Sequence, residues 1–270
     1  MISEFKNILV PVDFSINTEI AVKKAVALVM GGNAVIHLLH VMQSLQVDTN
    51  YRGSFFNNDA AHRDAFKKLM EWKISIVERF PDIVVETHLL KGKTVQQQII
   101  LLAREVNPQL IIIGKHSYHN WFAFLNTVIP ARLAKLTRCP VLTAKMGSLH
   151  NKIKSIVFPI QHLLPNRKTD MLILLAKRYR ARIYLVIPGD RPPLEANALN
   201  NAFIETYRIL KSQINCPIEH KILPGANLTK SALQFARVID ADMILLSPGE
   251  IASSTILHNL NITDRVRGRF

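Results

Sequence analysis

The chain has 270 residues, 49% of them hydrophobic and 20% charged. That balance excludes an intrinsically disordered chain, and the length fits roughly two domains of about 100–200 residues. The net charge of +14 is spread, with 17 Lys and Arg against 11 Asp and Glu in residues 1–146 and 17 against 9 in residues 147–270. An even spread favours a solvated basic surface over a nucleic-acid or other anionic partner, which would draw the charge into one patch with interleaved aromatics.

No apolar run reaches the roughly 20 residues of a membrane span. In MISEFKNILVPVDFS, Glu4 and Lys6 stand where a signal peptide would be apolar, so the expectation is a cytoplasmic protein. Cys139 and Cys216 lie in different halves, each before a proline, and make neither a disulfide framework nor a zinc quartet.

Along the chain, Ile8–Asp13 reads as a short buried strand and Thr18–Met30 as a helix with apolar residues at helical spacing, stopped by Gly31-Gly32. A second strand follows at Ala34–Val41, then a polar loop, a long helix from Asp59 to Arg79 and a strand at Val84–Leu90. The half closes with a helix at Thr94–Val106, a strand at Leu110–Gly114, a helix at Thr127–Leu136 and a strand at Val141–Ala144. The second half is expected to run strand 154–160, helix 167–179, strand 182–187, helix 194–213, strand 219–223, helix 228–239 and strand 243–246, with no fifth strand after it. This alternation predicts parallel sheets with helices on both faces, and ligands beyond the carboxyl ends of the strands.

The halves resemble each other. FKNILVPV (5–12) aligns with IKSIVFPI (153–160), placing Pro11 on Pro159 at an offset of 148. The stretch 89–114 aligns with 222–247 at an offset of 133, placing Gly92 on Gly225 and Ala103-Arg104 on Ala236-Arg237. Two separated blocks in one order predict a duplicated unit, with domains at 1–146 and 152–270 and the second degenerate.

NILVPVDFS, the LLHV strand, the LLKG turn, the IIIG strand end and CPVL at 139–142 together resemble the universal stress protein family, across residues 5–145 and more weakly across 153–250. The resemblance implies flavodoxin-like domains of the adenine nucleotide alpha hydrolase-like kind, here in a tandem two-domain form. It implies a site in which the aspartate after strand 1 meets a nucleotide, the end of strand 2 borders the base, and a glycine loop after strand 4 holds phosphates. The matching positions are Pro11 and Asp13, Val41, and Gly114, Ser117, Thr127 and Val128, and Gly92 is a further candidate from its place at a strand's carboxyl end.

The phosphate loop departs from the family pattern G-x-x-G, nine residues, G-[S/T]. Gly114 keeps the first glycine, but Ser117 replaces the second and Thr127-Val128 the final pair. Glycines there let backbone N–H groups reach phosphate oxygens with no Cβ in the way. Between them lies KHSYHNWFAFL, whose Tyr118, His119, Trp121, Phe122 and Phe124 would crowd a phosphate or form a lid or interface. Asp13 has a second reading, as the head of a local Asx turn. In the second half Gln161 stands in place of Asp13, and Ser247-Pro248-Gly249 in place of the glycine.

His116 and His119 lack a nearby carboxylate or cysteine, and His37 and His40 point to opposite faces of a strand, so no metal site is expected. No catalytic motif stands out. The expected function is a non-catalytic stress-response protein acting through binding or dimerisation, as a homodimer or an intramolecular pseudo-dimer. One alternative is a regulator that binds ATP or AMP through the first domain, and a further one is anion or nucleic-acid binding through the basic surface.

Overall fold

The computed structural model describes residues 4–29, 32–43, 58–114, 128–144, 153–160, 166–190, 193–225 and 227–246. The chain separates into two compact units, one over Glu4–Met146 and the other mainly over Gly147–Phe270.

The first unit runs β1 (Asn7–Pro11), α1 (Ile16–Val29), β2 (Ala34–Gln43), α2 (Asn58–Arg79), β3 (Ile83–Gly92), α3 (Val95–Val106), β4 (Leu110–Gly114), α4 (Pro130–Thr137) and β5 (Val141–Ala144). Its five strands are parallel in the order β3-β2-β1-β4-β5. The core of β1 (Ile8, Leu9, Val10) and of β4 (Ile111, Ile112, Ile113) is a continuous apolar run because helices cover both faces of these strands. One face is a core in which Leu9, Leu39, Ile111 and Ile113 meet Val95, Ile99 and Leu102 of α3 and Leu133 of α4. Thr94 caps α3 by accepting the Gln97 N–H, and Asn107 ends it in the left-handed conformation at φ 46°. The fourth helix starts at Pro130 rather than Thr127, since proline suits a first helical turn, where no N–H partner exists.

The second unit runs β6 (Ser155–Pro159), α5 (Asn166–Tyr179), β7 (Arg182–Pro188), α6 (Pro193–Gln213), β8 (Ile218–Leu223), α7 (Leu228–Val238) and β9 (Met243–Ile244). Its parallel sheet has the order β8-β7-β6-β9, which repeats the first four positions of the first sheet. Among the described residues it has four strands, and β9 is shorter than the 243–246 expected.

The equivalence reaches single side chains. In the first unit the Gln109 Oε1 accepts the backbone N–H groups of Lys6 and Asn7, at 2.5 and 3.2 Å, tying the start of β1 to β4. In the second, the Asp242 Oδ2 accepts those of Lys154 and Ser155 at 2.8 and 3.1 Å. Asn227 caps α7 as Thr94 caps α3, and Asp240 takes the left-handed conformation (φ 52°) that Asn107 takes. These pairs fall on the two offsets that align the sequence blocks.

Candidate functional site

In the first sheet the connections turn one way from β1 to β2 and the other way to reach β4, so the topological switch lies between β1 and β4. Such a switch leaves a crevice beyond the strand ends, where α/β sheets bind ligands. Pro11 widens it. The Asn7 carbonyl accepts from Gln109 on the β4 side, while the Val12 N–H donates to Leu39 on the β2 side. By alternation Pro11 faces β4, and proline has no N–H to offer there. The β1–β4 register accordingly ends at Leu9–Ile111, whereas β1 and β2 stay paired through Pro11–Leu39.

Asp13 sits at the mouth of this crevice, half-buried. Its Oδ1 accepts from the Ser15 N–H at 3.0 Å and from the Thr18 Oγ1 at 3.1 Å. This is the Asx turn expected as its local role, and it ends the first strand at Pro11 instead of Asp13. Ser15 continues the cap by accepting the Thr18 N–H at 3.4 Å.

Phe14 is held at φ 62°, a conformation a bulky residue seldom adopts. It lays its ring 4.6 Å from that of His40 and edge-on to Trp72 at 5.7 Å. The Lys68 ammonium lies 5.7 Å from the same ring. His40 Nδ1 contacts the Val12 carbonyl at 2.9 Å. Burial pushes the His40 imidazole below its ordinary range, against the opposing pull of the Val12 carbonyl and the Asp13 carboxylate.

Gly114 closes the other side. A Cβ there would stand 2.5 Å from the Asn17 carbonyl carbon and 2.7 Å from the Thr18 nitrogen, inside the backbone that opens α1. Its lack of a side chain thus lets β4 run against the start of α1. At Gly92, at the end of β3, the nearest atoms a Cβ would meet belong to the side chain of Gln98.

Val41 and Val128 turn into the core beside Leu39 and Leu133, so neither offers a side chain to the crevice. Ser117, Thr127 and the 117–124 aromatics lie outside the described residues, as do His116, His119 and Gln161. The structure therefore brings Pro11, Asp13 and Gly114 to the switch, while Val41 and Val128 turn their side chains into the core and Gly92 ends β3.

The second unit repeats the opening at Pro159, but a cation approaches its strand end. The Lys168 ammonium donates to the Pro159 carbonyl at 2.6 Å and lies 4.6 Å from the ring of Phe158.

The family model described as "Universal stress protein family" matches residues 4–145, the whole first unit. The chain belongs to the universal stress protein family. The fold agrees across both units. A universal stress protein from Archaeoglobus fulgidus is 14% identical with a TM-score of 0.66, over 90% of this chain and 86% of that one. A functionally unknown protein from Pseudomonas aeruginosa PAO1 is 18% identical with a TM-score of 0.55, over 89% of this chain and 80% of that one. A universal stress protein family protein from Arabidopsis thaliana, solved with AMP bound, is 18% identical with a TM-score of 0.34, over 52% of this chain and 91% of that one. No curated protein matches the chain.

One group lies beyond what the sequence displays. His37, Glu86 and His88 bring their side-chain ligand atoms within 4.8 Å of one another. Spacing along the chain pairs His37 with its strand neighbour His40, but its partners lie on the adjacent strand, where Glu86 is its register mate. An E-x-H pattern at Glu86–His88 puts two ligating side chains on one face of a strand, and only the register shows that a histidine stands opposite.

Proposed function

We propose that this universal stress protein is non-catalytic and acts by binding at the β1–β4 switch of its first unit, within a homodimer or a pseudo-dimer of its own two domains, residues 1–146 and 152–270. The observation that carries this reading is the division of labour at the switch. Pro11 opens the crevice, while the polar and glycine positions beside it serve the fold, Asp13 in capping α1 and Gly114 in admitting its backbone. Chemistry needs a nucleophile, base or acid within reach of the reacting atom. Among the described residues of this crevice, the side chains that cap the helix supply no such set.

A second reading has its own support. The Asp13 carboxylate, half-buried at the strand end, is a suitable acceptor for ribose hydroxyls or an adenine amino group, so an adenine nucleotide (ATP or AMP) is the ligand class to test first. Protein purified without added nucleotide is denatured, and the released small molecules are identified by absorbance and mass spectrometry. Native protein is then titrated with ATP and AMP and its melting followed. Co-purified nucleotide or a concentration-dependent rise in Tm establishes the nucleotide reading. Absence of both leaves association as the function, and light scattering then has to return a constant dimer mass or a monomer whose separated halves bind each other. A monomer whose halves ignore each other and which binds no ligand defeats both readings.

A further inference from the structure

We propose that His37, Glu86 and His88 form a divalent transition-metal site of the zinc class, on the β2–β3 edge of the first sheet. His37 Nδ1 lies 3.0 Å from His88 Nε2 and 3.2 Å from a Glu86 carboxylate oxygen. Zinc holds imidazole nitrogen and carboxylate oxygen at about 2.0–2.2 Å, and at those lengths the two separations subtend about 95° and 100° at a shared ion. His88 and Glu86 are 4.0 Å apart, and Glu86 is the side chain with freedom to close that gap, being 51% exposed. Two histidines and a carboxylate with a fourth position left to water is a donor set that zinc accepts.

Hydrogen bonding alone serves this group poorly. His37 Nδ1 faces both His88 Nε2 and a Glu86 carboxylate oxygen. Whichever imidazole tautomer is present, one hydrogen on His37 Nδ1 can be directed at only one of these two neighbours, and a bare Nδ1 has none to give the carboxylate. A cation satisfies all three donors together. The Glu86 carboxylate beside the two histidines supplies negative charge that favours a cation at this position.

The placement is suited to reversible loading. β3 is an edge strand. Exposure grades outward, from 6% at the His37 side chain to 21% at His88 and 51% at Glu86, so an ion enters past Glu86 and meets a pre-positioned buried histidine. The site lies on the α3 side of the sheet, with Leu39 and Val41 on the same face of β2. Asp13 and Gly114 lie at the β1 and β4 ends, on other strands from the three ligands. A bound ion would cross-link β2 to the edge strand.

The test uses the full-length protein without a histidine tag. It is stripped with chelator and titrated with Zn2+ by calorimetry, and with Co2+ by visible absorption. Expected are one equivalent bound, d–d bands of a low-coordinate Co2+ site, and a Tm that climbs with Zn2+ concentration. His88→Ala and Glu86→Gln, both on the exposed side and checked for folding by circular dichroism, should weaken this binding by at least about tenfold. A His116→Ala/His119→Ala double variant should leave it unchanged. No binding by the parent chain, or binding that survives in both β3 variants, or loss only in the 116/119 variant, overturns the proposal.

Discussion

Replacing Gly114 by alanine separates two roles for the same glycine. If it exists to let a phosphate approach, a methyl group costs ligand affinity and leaves the fold intact. The structure instead places that methyl 2.5 Å from the Asn17 carbonyl carbon and 2.7 Å from the Thr18 nitrogen. Both are backbone atoms at the start of a helix whose cap is fixed by Asp13 and Ser15, so no side chain can swing aside. Strand β4 cannot retreat either, because Leu110 to Gly114 are buried along their whole length. Overpacking of this kind costs about 1–3 kcal/mol, and a rigid obstacle belongs at the upper end, near 2–3 kcal/mol. At a urea dependence of about 2 kcal/mol per molar, the midpoint should fall by roughly 1 M. Tryptophan fluorescence is the right assay, because Trp72 and Trp121 both fall within the first unit and report its unfolding without the second. Gly92→Ala is the internal control, since the nearest atoms its methyl meets belong to the movable Gln98 side chain, and it should cost less than about 1 kcal/mol. A Gly114→Ala midpoint within about 0.2 M of the parent would refute the packing argument.

Other outcomes rest on the same geometry. Asp13→Ala removes the acceptor for Ser15 and Thr18 and should destabilise the first unit by about 0.5–2 kcal/mol in the same urea assay, even with no ligand present. Asp242→Ala releases two backbone N–H groups at the head of β6 and should cost about 1.5–3 kcal/mol, read as an earlier loss of circular dichroism at unchanged tryptophan fluorescence. His40 titrates lower folded than unfolded, so the unfolded chain takes up its proton first as pH falls. The stability it contributes is therefore present above about pH 6.5 and is lost as pH drops below that toward the folded value. His40→Gln should reduce the dependence of the urea midpoint on pH across that window, the remainder coming from His37 and His88, which burial also lowers. An unchanged slope would show that His40 is not its source.

Much of the fold is legible in the sequence because parallel strands buried on both faces carry continuous apolar runs, and because glycine, proline and capping residues mark their ends. The repeat is legible for the same reason, down to the Thr94–Asn227 caps. The site is legible only in part. Asp13 and Pro11 act through local rules, a turn and a missing N–H, which a sequence displays. The role of Gly114 depends on a helix that begins some hundred residues earlier, and no local pattern records that distance. Val41 matches the family's strand-2 end and Val128 its phosphate loop by position, but their side chains follow the core. The His37 group is hidden for a different reason: its members meet through strand register, so neither the spacing of His37 to His40 nor of His116 to His119 points to it.

The strand order has a consequence for the birth of the protein. β1 leaves the ribosome well before β4, and the Gln109 side chain that anchors its head comes 103 residues after Lys6. At roughly 5–20 residues per second, the middle strand of the sheet waits about 5–20 s with one apolar edge unpaired. The second unit repeats the delay, with 88 residues between Lys154 and Asp242. Each copy must therefore hold its central strand open for most of its own synthesis, and a nascent chain in that state exposes the surface on which chaperones act and on which two neighbouring, similar units can exchange strands.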